Sequence, residues 1–324
     1  MGLSIARSGA TSTADGGAST CDAPSGDDAL PSSPHGTAPG GASSLGAGRP
    51  DDHTVLSQAA QENFPVASRL LPRALRADLM AVYGFARLVD DIGDEVPGDR
   101  AALLDHVDAE IDRIYAGTPE LPLLRRLADT VHDHDIPPEP LRRLVEANRQ
   151  DQQVRRYATY DDLRRYCTLS ANPVGELVLY VFGRPEPQLI ALSDRICTAL
   201  QLTEHWQDVA EDLARGRIYL PTEDLEAWNC TAHDLAAPSA SARVRRLMAF
   251  EVSRARRLLD DGTPLVGRLS GLARVAVAGY VAGGRAALRA IVDAEFDVLS
   301  GTPRPARPVV LAEWLRLAAG GGRR

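Results

Sequence analysis

No lysine occurs in this 324-residue chain, so all 36 of its basic residues are arginine. The 44 acidic residues outnumber them and give a formal net charge of −8 at pH 7. This balance excludes the basic surface that a nucleic-acid-binding protein requires. It remains compatible with a small anionic ligand, because the planar guanidinium group of arginine makes paired hydrogen bonds to phosphate oxygens.

Cysteine is scarce as well, and the four cysteines are Cys21, Cys167, Cys197 and Cys230. None of them forms a C-x-x-C pair, which excludes a disulfide framework and favours a reducing, cytoplasmic compartment. No secretory hydrophobic region opens the chain, and no window reaches the ~18 continuous apolar residues of a membrane span. The apolar run that comes nearest, 275–290, is interrupted or flanked by arginines, so we expect a buried helix there.

Alternation of apolar and polar residues, the pattern typical of strands, is almost absent. Residues 1–52 carry almost no large apolar side chain and are predicted to be a disordered tail. Beyond them, apolar residues recur at helical spacing, and breaks containing proline or glycine separate the segments. We predict one all-α domain over 53–308 and a short C-terminal helix and tail within 309–324. The predicted helices cover about 54–63, 72–93, 101–116, 120–134, 137–155, 159–182, 186–214, 222–227, 240–261 and 265–300.

An acidic cluster, Asp90-Asp91-Ile92-Gly93-Asp94-Glu95, ends the second of these helices. Asp90 and Asp94 are four residues apart and therefore share one helical face. Like charges at that spacing cost an isolated helix roughly 0.2–0.5 kcal/mol per pair, and the negative end of the helix dipole adds to the cost. A bound divalent cation would make this unfavourable arrangement of charges favourable, so the cluster predicts a metal site.

A second acidic face follows in the predicted helix 186–214, where Glu204, Asp208 and Asp212 recur at steps of four. Two such faces on opposite sides of a cavity would form a polynuclear Mg²⁺ site with oxygen ligands only. Such a site is suited to holding a diphosphate.

Arginines accompany both acidic motifs. Arg87 lies one turn before the first, and its expected partner is either a carboxylate in a structural ion pair or a diphosphate oxygen. Arg215 and Arg217 follow the second motif on either side of Gly216, which supplies a flexible turn. As surface ion pairs they would contribute little, whereas beside a metal-bound diphosphate they would neutralise the leaving group.

Pro173 lies inside the predicted helix 159–182 and should break or kink it, since proline removes a helical hydrogen bond. A kink beside Gly175 either makes room for a ligand or simply improves packing.

Three stretches of the chain resemble the motifs of the squalene and phytoene synthase family. They are Tyr83-x-x-x-Arg87-x-x-Asp90-x-x-x-Asp94, Gln201-Leu-Thr-x-x-x-Gln-Asp208-Val-x-Glu-Asp212 and Arg217-Ile-Tyr219. The resemblance covers roughly residues 54–308. Within the family, Asn63-Phe-Pro-Val-Ala-Ser and Ser-Ala-Asn-Pro-Val-Gly look most like the hydroxysqualene synthases of bacterial hopanoid biosynthesis.

This resemblance implies an all-α class I isoprenoid (terpenoid) synthase, a helical bundle with a central active-site cavity. It implies a Mg²⁺-dependent enzyme that converts presqualene diphosphate and water into hydroxysqualene and diphosphate, without a reductant. An apolar, water-poor cavity would protect the carbocation from early capture. The resemblance also implies peripheral association with the inner face of the membrane and receipt of the substrate from a presqualene diphosphate synthase.

The resemblance also implies roles for individual residues. Tyrosine faces stabilise cations, although a buried tyrosine satisfied by one hydrogen bond is the commoner case. Glu204 departs from the family pattern, which usually has asparagine there, and could retain the metal, shift it or pair with an arginine. The implied metal ligands are Asp90, Asp94, Glu204, Asp208 and Asp212; the catalytic residues are Tyr83, Arg87, Tyr166 and Tyr219; the substrate-binding residues are Asn63, Arg87, Gln201, Arg217 and Tyr280.

Two other functions fit the same motifs. A head-to-head prenyl transferase would join two farnesyl or geranylgeranyl diphosphates into presqualene diphosphate, squalene, dehydrosqualene or phytoene, and squalene formation would also need NADPH. A non-catalytic scaffold with the same fold fits less well, because such relatives tend to lose the acidic residues.

Overall fold

The protein is described by a computed structural model over residues 71–94 and 96–320. The described residues all belong to one compact unit and form fourteen helices without a named strand. The predicted all-α fold is therefore confirmed for this part of the chain. The helices are α1 (Arg73–Asp94), α2 (Arg100–Ala116), α3 (Pro122–Asp133), α4 (Pro138–Asp151), α5 (Tyr160–Ser170), α6 (Asn172–Val181), α7 (Pro187–Gln207), α8 (Val209–Ala214), α9 (Thr222–Ala227), α10 (Ala232–Leu235), α11 (Ala242–Gly262), α12 (Pro264–Arg268), α13 (Gly271–Asp293) and α14 (Arg307–Gly320).

Helix starts follow from local chemistry. Proline occupies the first turn of α3, α4, α6, α7 and α12, where its missing N–H has no helical partner to lose. Thr159 begins α5 with a capping box, in which its side chain and that of Asp162 each accept a hydrogen bond from the other's backbone N–H. The predicted tail 1–52 and the predicted helix 54–63 lie outside the described residues.

Three segments that were predicted as single helices are each divided in two. The division of 159–182 confirms the break expected at Pro173, whereas the divisions of 186–214 and 265–300 were not predicted. The break inside 159–182 falls at Ala171, just before Pro173, as the proline rule requires. The break inside 186–214 falls at Asp208, whose backbone leaves the helical region with φ −103° and ψ 18°. The break inside 265–300 separates α12 from α13, and the helical part of that segment ends at Asp293.

Two hydrophobic clusters organise the bundle. One is built mainly from α1 to α4, and the other from α5, α7, α11 and α13. Helix α6 lies between them: Val174, Leu177 and Val178 belong to the first cluster, and Leu179 belongs to the second. A ligand cavity that opens between the two clusters would therefore be bordered by α6.

Helix α14 packs along α13. Trp314 Nε1 donates to the Val275 carbonyl at 2.8 Å, and Arg274 donates to the Ala318 carbonyl at 2.7 Å. Among the described helices, α13 alone is long and apolar enough to cross a membrane, and 56% of its apolar window is buried within the protein. That burial agrees with the expectation of a protein-packed helix over 275–290.

Candidate active site

The first acidic motif lies on the last turns of α1 and faces α4. Asn148 on α4 donates from Nδ2 to Asp90 Oδ1 at 3.2 Å. Gly93 permits this approach, because a β-carbon there would lie 2.1 Å from Asn148 Oδ1. Asp90 retains some exposed surface, but protein surrounds its carboxyl group. Burial raises the pKa of Asp90 to about 8, and the nearby Asp94 carboxylate acts in the same direction.

The neighbouring acid, Asp91, forms an ion pair with an arginine of its own helix. Arg87 Nη2 lies 2.7 Å from Asp91 Oδ1, four residues along α1, and both side chains are largely buried. Of the two partners expected for Arg87, the carboxylate is therefore the one that contacts it. The carbonyls at the end of α1 also have donors: Arg100 binds those of Gly93 and Asp94, each at 3.0 Å. These contacts offset part of the cost of placing acids at a helix C-terminus.

The second acidic motif spans the junction of α7 and α8. Asp208 lies between α7 and α8, and its side chain does not cap α8. Burial raises the pKa of Asp208 to about 7, and the adjacent Glu211 and Asp212 carboxylates reinforce the shift. The helical backbone is interrupted at Asp208, but Asp208 N still donates to the Glu204 carbonyl at 2.9 Å and Asp212 N to the Asp208 carbonyl at 2.8 Å, so the three acids follow one another at steps of one turn.

Arg217 joins the two acidic motifs, because its backbone N–H donates to the Asp212 carbonyl at 2.9 Å and its side chain reaches Asp94. Its Nη2 atom lies 2.9 Å from Asp94 Oδ1, although the residues are 123 positions apart in the chain. Gly216, with φ 76°, forms the turn that directs Arg217 back toward α1, a conformation that favours glycine. Burial alone would lower the pKa of Arg217, but Tyr219, Asp94 and Asp151 together raise it, so the guanidinium remains charged.

The segment after Gly216 is fastened to the segment after α4. Ile218 N donates to the Arg155 carbonyl at 3.0 Å, and Thr222 N donates to the Tyr157 carbonyl at 2.9 Å. These bonds place Tyr219 in an aromatic cluster with Tyr157, Tyr166 and His205. The His205 ring stacks on Tyr219 with centroids 3.6 Å apart and an interplanar angle of 12°. The centroid of Tyr166 lies 6.1 Å from that of Tyr219 and 6.4 Å from that of His205.

Asp151, at the end of α4, is a further buried acid of this region. Tyr166 donates its hydroxyl hydrogen to Asp151 Oδ2 at 2.7 Å. Burial raises the pKa of Asp151 to about 6, against the opposing effects of the Tyr166 hydrogen bond and the charge of Arg217. Asp151 Oδ1 is buried and has no hydrogen-bond partner in the described part of the chain. Such an atom is typical of a site that water or a ligand completes.

A small apolar cavity lies between α6, α7, α12 and α13. Tyr280, predicted from the resemblance to contact substrate, is part of its wall. Gly175 is also part of it, and a β-carbon there would lie 2.4 Å from both Cys197 Sγ and Ser193 Oγ. Gly175, two residues after Pro173, is therefore packed closely against α7 and also forms part of the cavity wall.

The remaining site residues are placed as follows. Tyr83 is buried on α1, one turn before Arg87. Gln201 is buried on α7 with Nε2 3.0 Å from His205 Nε2. Glu204 lies one turn later and is partly exposed. Asn63 lies outside the described residues.

The acids suit Mg²⁺ by their chemistry, since carboxylate oxygens are hard ligands. The raised pKa values of Asp90 and Asp208 reflect buried like charges that a cation would relieve. Within residues 71–94 and 96–320, no three His, Cys, Asp or Glu side chains converge as a metal-ligating group. Mg²⁺ commonly uses only one or two carboxylates and takes its other ligands from phosphate and water. The donor set therefore fits the ion.

Three residues of this region were missed from the sequence. Asn148 and Asp151 lie on α4, far in sequence from both acidic motifs, and no local pattern connects them to those motifs. His205 stands between Glu204 and Trp206 inside the second motif, so its position at i+4 from Gln201 was the available signal.

The fold and the paired acidic motifs define an all-α class I isoprenoid synthase. Residues 57–313 match the squalene/phytoene synthase family, and the chain belongs to that family. The predicted family is therefore confirmed.

Individual relatives resemble the chain at moderate identity. The hydroxysqualene synthase of Zymomonas mobilis is 37% identical over 209 residues, which cover 61% of this chain and 67% of that protein. The phytoene synthase of Arthrospira platensis is 33% identical over 235 residues, which cover 66% of this chain and 76% of that protein. Among solved structures, the squalene synthase HpnC from Alicyclobacillus acidocaldarius superposes with a TM-score of 0.71 at 43% identity, covering 76% of this chain and 94% of that one. Members of the family are isoprenoid synthases that act on prenyl diphosphates and typically use a divalent metal.

Proposed function

We propose that this protein converts presqualene diphosphate and water into hydroxysqualene, releasing diphosphate in a Mg²⁺-dependent reaction of hopanoid biosynthesis. The observation that carries the proposal is the 2.9 Å ion pair between Arg217 and Asp94, which holds the ends of the two acidic motifs together. Such an arrangement supplies carboxylates for a metal and a fixed positive charge for a leaving group. The identity with hydroxysqualene synthases, 33–37%, supports the choice of product.

Asp90, Asp94, Glu204, Asp208 and Asp212 would hold Mg²⁺. The ion, when bound, supplies charge that stabilises the departing diphosphate. Arg217 adds a guanidinium that cannot lose its proton and can make two parallel hydrogen bonds to phosphate oxygens. The C–O bond to diphosphate breaks, and the cyclopropylcarbinyl cation that remains then rearranges before water captures it.

The walls of the site suit such a cation. Tyr166 and Tyr219, whose ring centroids lie 6.1 Å apart, would attract the positive charge through any ring face that turns toward the substrate. The apolar side chains that line the cavity between α6 and α13 would contact the prenyl chains and exclude bulk water. Tyr83 and Arg87 lie on α1 in the turns that lead into Asp90 and would complete the site from that side.

A second candidate is the head-to-head condensation of two prenyl diphosphates, favoured by the 33% identity with a phytoene synthase. The same acids and the same cavity would serve that reaction. The two functions differ in substrate and in the oxygen content of the product.

Purified protein would be incubated with Mg²⁺ and either presqualene diphosphate or farnesyl diphosphate, without NADPH. We expect an oxygenated C30 product from presqualene diphosphate only. A hydrocarbon formed from farnesyl diphosphate would overturn the proposal in favour of the condensation. Asp90→Ala and Asp208→Ala should abolish turnover and leave the helical circular dichroism signal unchanged. Retained turnover in either variant would contradict the metal assignment.

The proposal extends to peripheral contact with an anionic membrane on the cytoplasmic side, where a presqualene diphosphate synthase would deliver the substrate. Support comes from α14, where Val309, Leu311 and Leu315 are exposed by 46%, 51% and 60%. Arg304 and Arg307 are exposed close by and would meet lipid phosphates. Cosedimentation with phosphatidylglycerol vesicles should fall for Leu311→Ser/Leu315→Ser. Equal cosedimentation of that variant and the unaltered protein would refute this contact.

A further inference from the structure

A strip of buried polar side chains runs along one face of α7. Thr198, Gln201 and His205 are spaced i, i+3 and i+7 and therefore share that face. All three are buried, with exposed fractions of 4–6%. Thr198 Oγ1 donates to Asn172 Oδ1 of α6 at 2.9 Å, and Gln201 Nε2 lies 3.0 Å from His205 Nε2.

The strip adjoins the apolar cavity. Ser193, Cys197 and Leu200, spaced i, i+4 and i+7 on α7, belong to the cavity wall. Cys197 of the cavity wall and Gln201 are four residues apart, so the cavity face and the polar face of α7 are contiguous. A group held on the polar face would therefore lie beside chains in the cavity.

One atom of the strip lacks a partner. Gln201 Oε1 is buried, and no hydrogen-bond donor for it occurs among residues 71–94 and 96–320. Buried amide oxygens are almost always satisfied, because an unmet acceptor costs stability. An exception of this kind, in a polar strip beside a ligand cavity, indicates a place for water.

His205 determines where that oxygen points. The imidazole Nε2 engages the amide nitrogen of Gln201, which turns Oε1 away from the ring. The ring itself is held flat against Tyr219 at 3.6 Å, and its Nδ1 lies 3.9 Å from Asp212 Oδ2. Without this ring, the Gln201 side chain would be free to rotate.

We propose that Gln201 Oε1 holds the water that captures the carbocation and that His205 is the residue that positions the Gln201 amide. This inference rests on the proposed function. The diphosphate ester C–O bond breaks at ionisation, and a new C–O bond forms between the rearranged cation and the water oxygen. The surplus proton of that water passes to the released diphosphate. No oxidant or reductant takes part, and without a held water the cation loses a proton to give a hydrocarbon.

The test compares Gln201→Met and His205→Phe with the unaltered enzyme, using presqualene diphosphate and Mg²⁺ in ¹⁸O-labelled water. The measured quantity is the ratio of labelled C30 alcohol to C30 hydrocarbon. Loss of one hydrogen bond to the water should lower that ratio about tenfold in both variants. A role in folding alone would reduce total turnover without changing the ratio.

His205→Gln supplies a second test, since its amide can still bond Gln201, and its product ratio should stay within about threefold of the unaltered enzyme. His132→Phe, on exposed α3 surface, is the matched control and should leave the ratio unchanged. If Gln201→Met and His205→Phe both keep the original ratio, the inference is overturned. Should His205→Phe fail to fold, Gln201→Met decides alone. An unaltered enzyme that forms no alcohol at all would instead refute the proposed function.

Discussion

Asn148 Oδ1 occupies the space that a side chain on Gly93 would need, 2.1 Å from where the β-carbon would lie. The close approach of α4 to α1 is what allows Asn148 to bond Asp90 at 3.2 Å. A glycine inside a helix usually costs stability, so its presence here is explained by this contact.

Gly93→Ala should therefore lower the free energy of unfolding by about 1–3 kcal/mol, the usual cost of overpacking. Turnover should fall as well, because Asn148 would be pushed away from Asp90. Urea unfolding and initial rates measure the two effects. The double variant Gly93→Ala/Asn148→Ala should recover stability but not activity.

Gly283→Ala is the matched control, since Gly283 lies in α13 and the added carbon would enter open space. It should be neutral or slightly stabilising. Equal stability of Gly93→Ala and Gly283→Ala would show that the contact with Asn148 is unimportant.

Arg217→Gln should lower kcat/KM about 10²-fold, as expected for loss of a group that stabilises charge in the transition state. The ion pair with Asp94 would also be lost, and the half-saturating Mg²⁺ concentration should change. Arg217→Lys keeps the positive charge but loses the planar guanidinium group. Its kcat/KM should therefore lie between that of the unaltered enzyme and that of Arg217→Gln. Arg243→Gln, which removes the ion pair with Asp234, should leave the kinetics unaltered. Identical Mg²⁺ titrations for Arg217→Gln and Arg243→Gln would contradict the assignment.

Asp151→Asn should lower kcat about tenfold, because Tyr166 donates its hydroxyl hydrogen to this carboxylate at 2.7 Å. Tyr166→Phe should have a similar effect. If Asp151 and Tyr166 act as one unit, kcat of the double variant should be only slightly lower than kcat of either single variant. Rate losses that multiply would mean that Asp151 and Tyr166 act independently.

The residues of the candidate site differ in whether the sequence alone could identify them. Asp90, Asp94 and Asp208 were recognisable because their spacing contradicts what an isolated helix prefers. Pro173 identified a helix break for the same local reason. Asn148 and Asp151 were not recognisable, because their role depends on how closely α4 packs on α1. The break at Asp208 was missed since no proline or glycine accompanies it.

Glu204→Asn, which restores the residue usual in the family, should keep turnover or raise it. Glutamate adds a negative charge and a methylene group to an already acidic face, and asparagine offers a neutral oxygen ligand. Initial rates over a Mg²⁺ series measure the effect. Complete loss of turnover would mean that Glu204 has a role of its own.

Glu251 is a buried acid of α11 that lies outside the proposed site. Arg254 Nη2 lies 2.9 Å from Glu251 Oε1 and 2.5 Å from Asp224 Oδ2, and its guanidinium covers the Tyr160 ring at 3.8 Å. Burial raises the pKa of Glu251 from 4.5 to about 9, in spite of the charge of Arg254. One arginine thus serves two carboxyl groups, and Glu251 keeps its proton at neutral pH.

A raised carboxyl pKa means that the folded state binds more protons than the unfolded state between pH 4.5 and about 9. The free energy of unfolding should therefore fall as pH rises through that window. Glu251→Gln, which keeps the shape and a hydrogen-bond donor without a proton to lose, should remove this component and leave turnover unchanged. Urea unfolding at pH 6 and pH 9 should show that the free energy of unfolding falls less for Glu251→Gln than for the unaltered protein. Glu226→Gln, on the exposed surface of α9, is the control and should lose as much stability as the unaltered protein. If the free energy of unfolding changes equally with pH in Glu251→Gln, Glu226→Gln and the unaltered protein, the raised pKa of Glu251 is refuted.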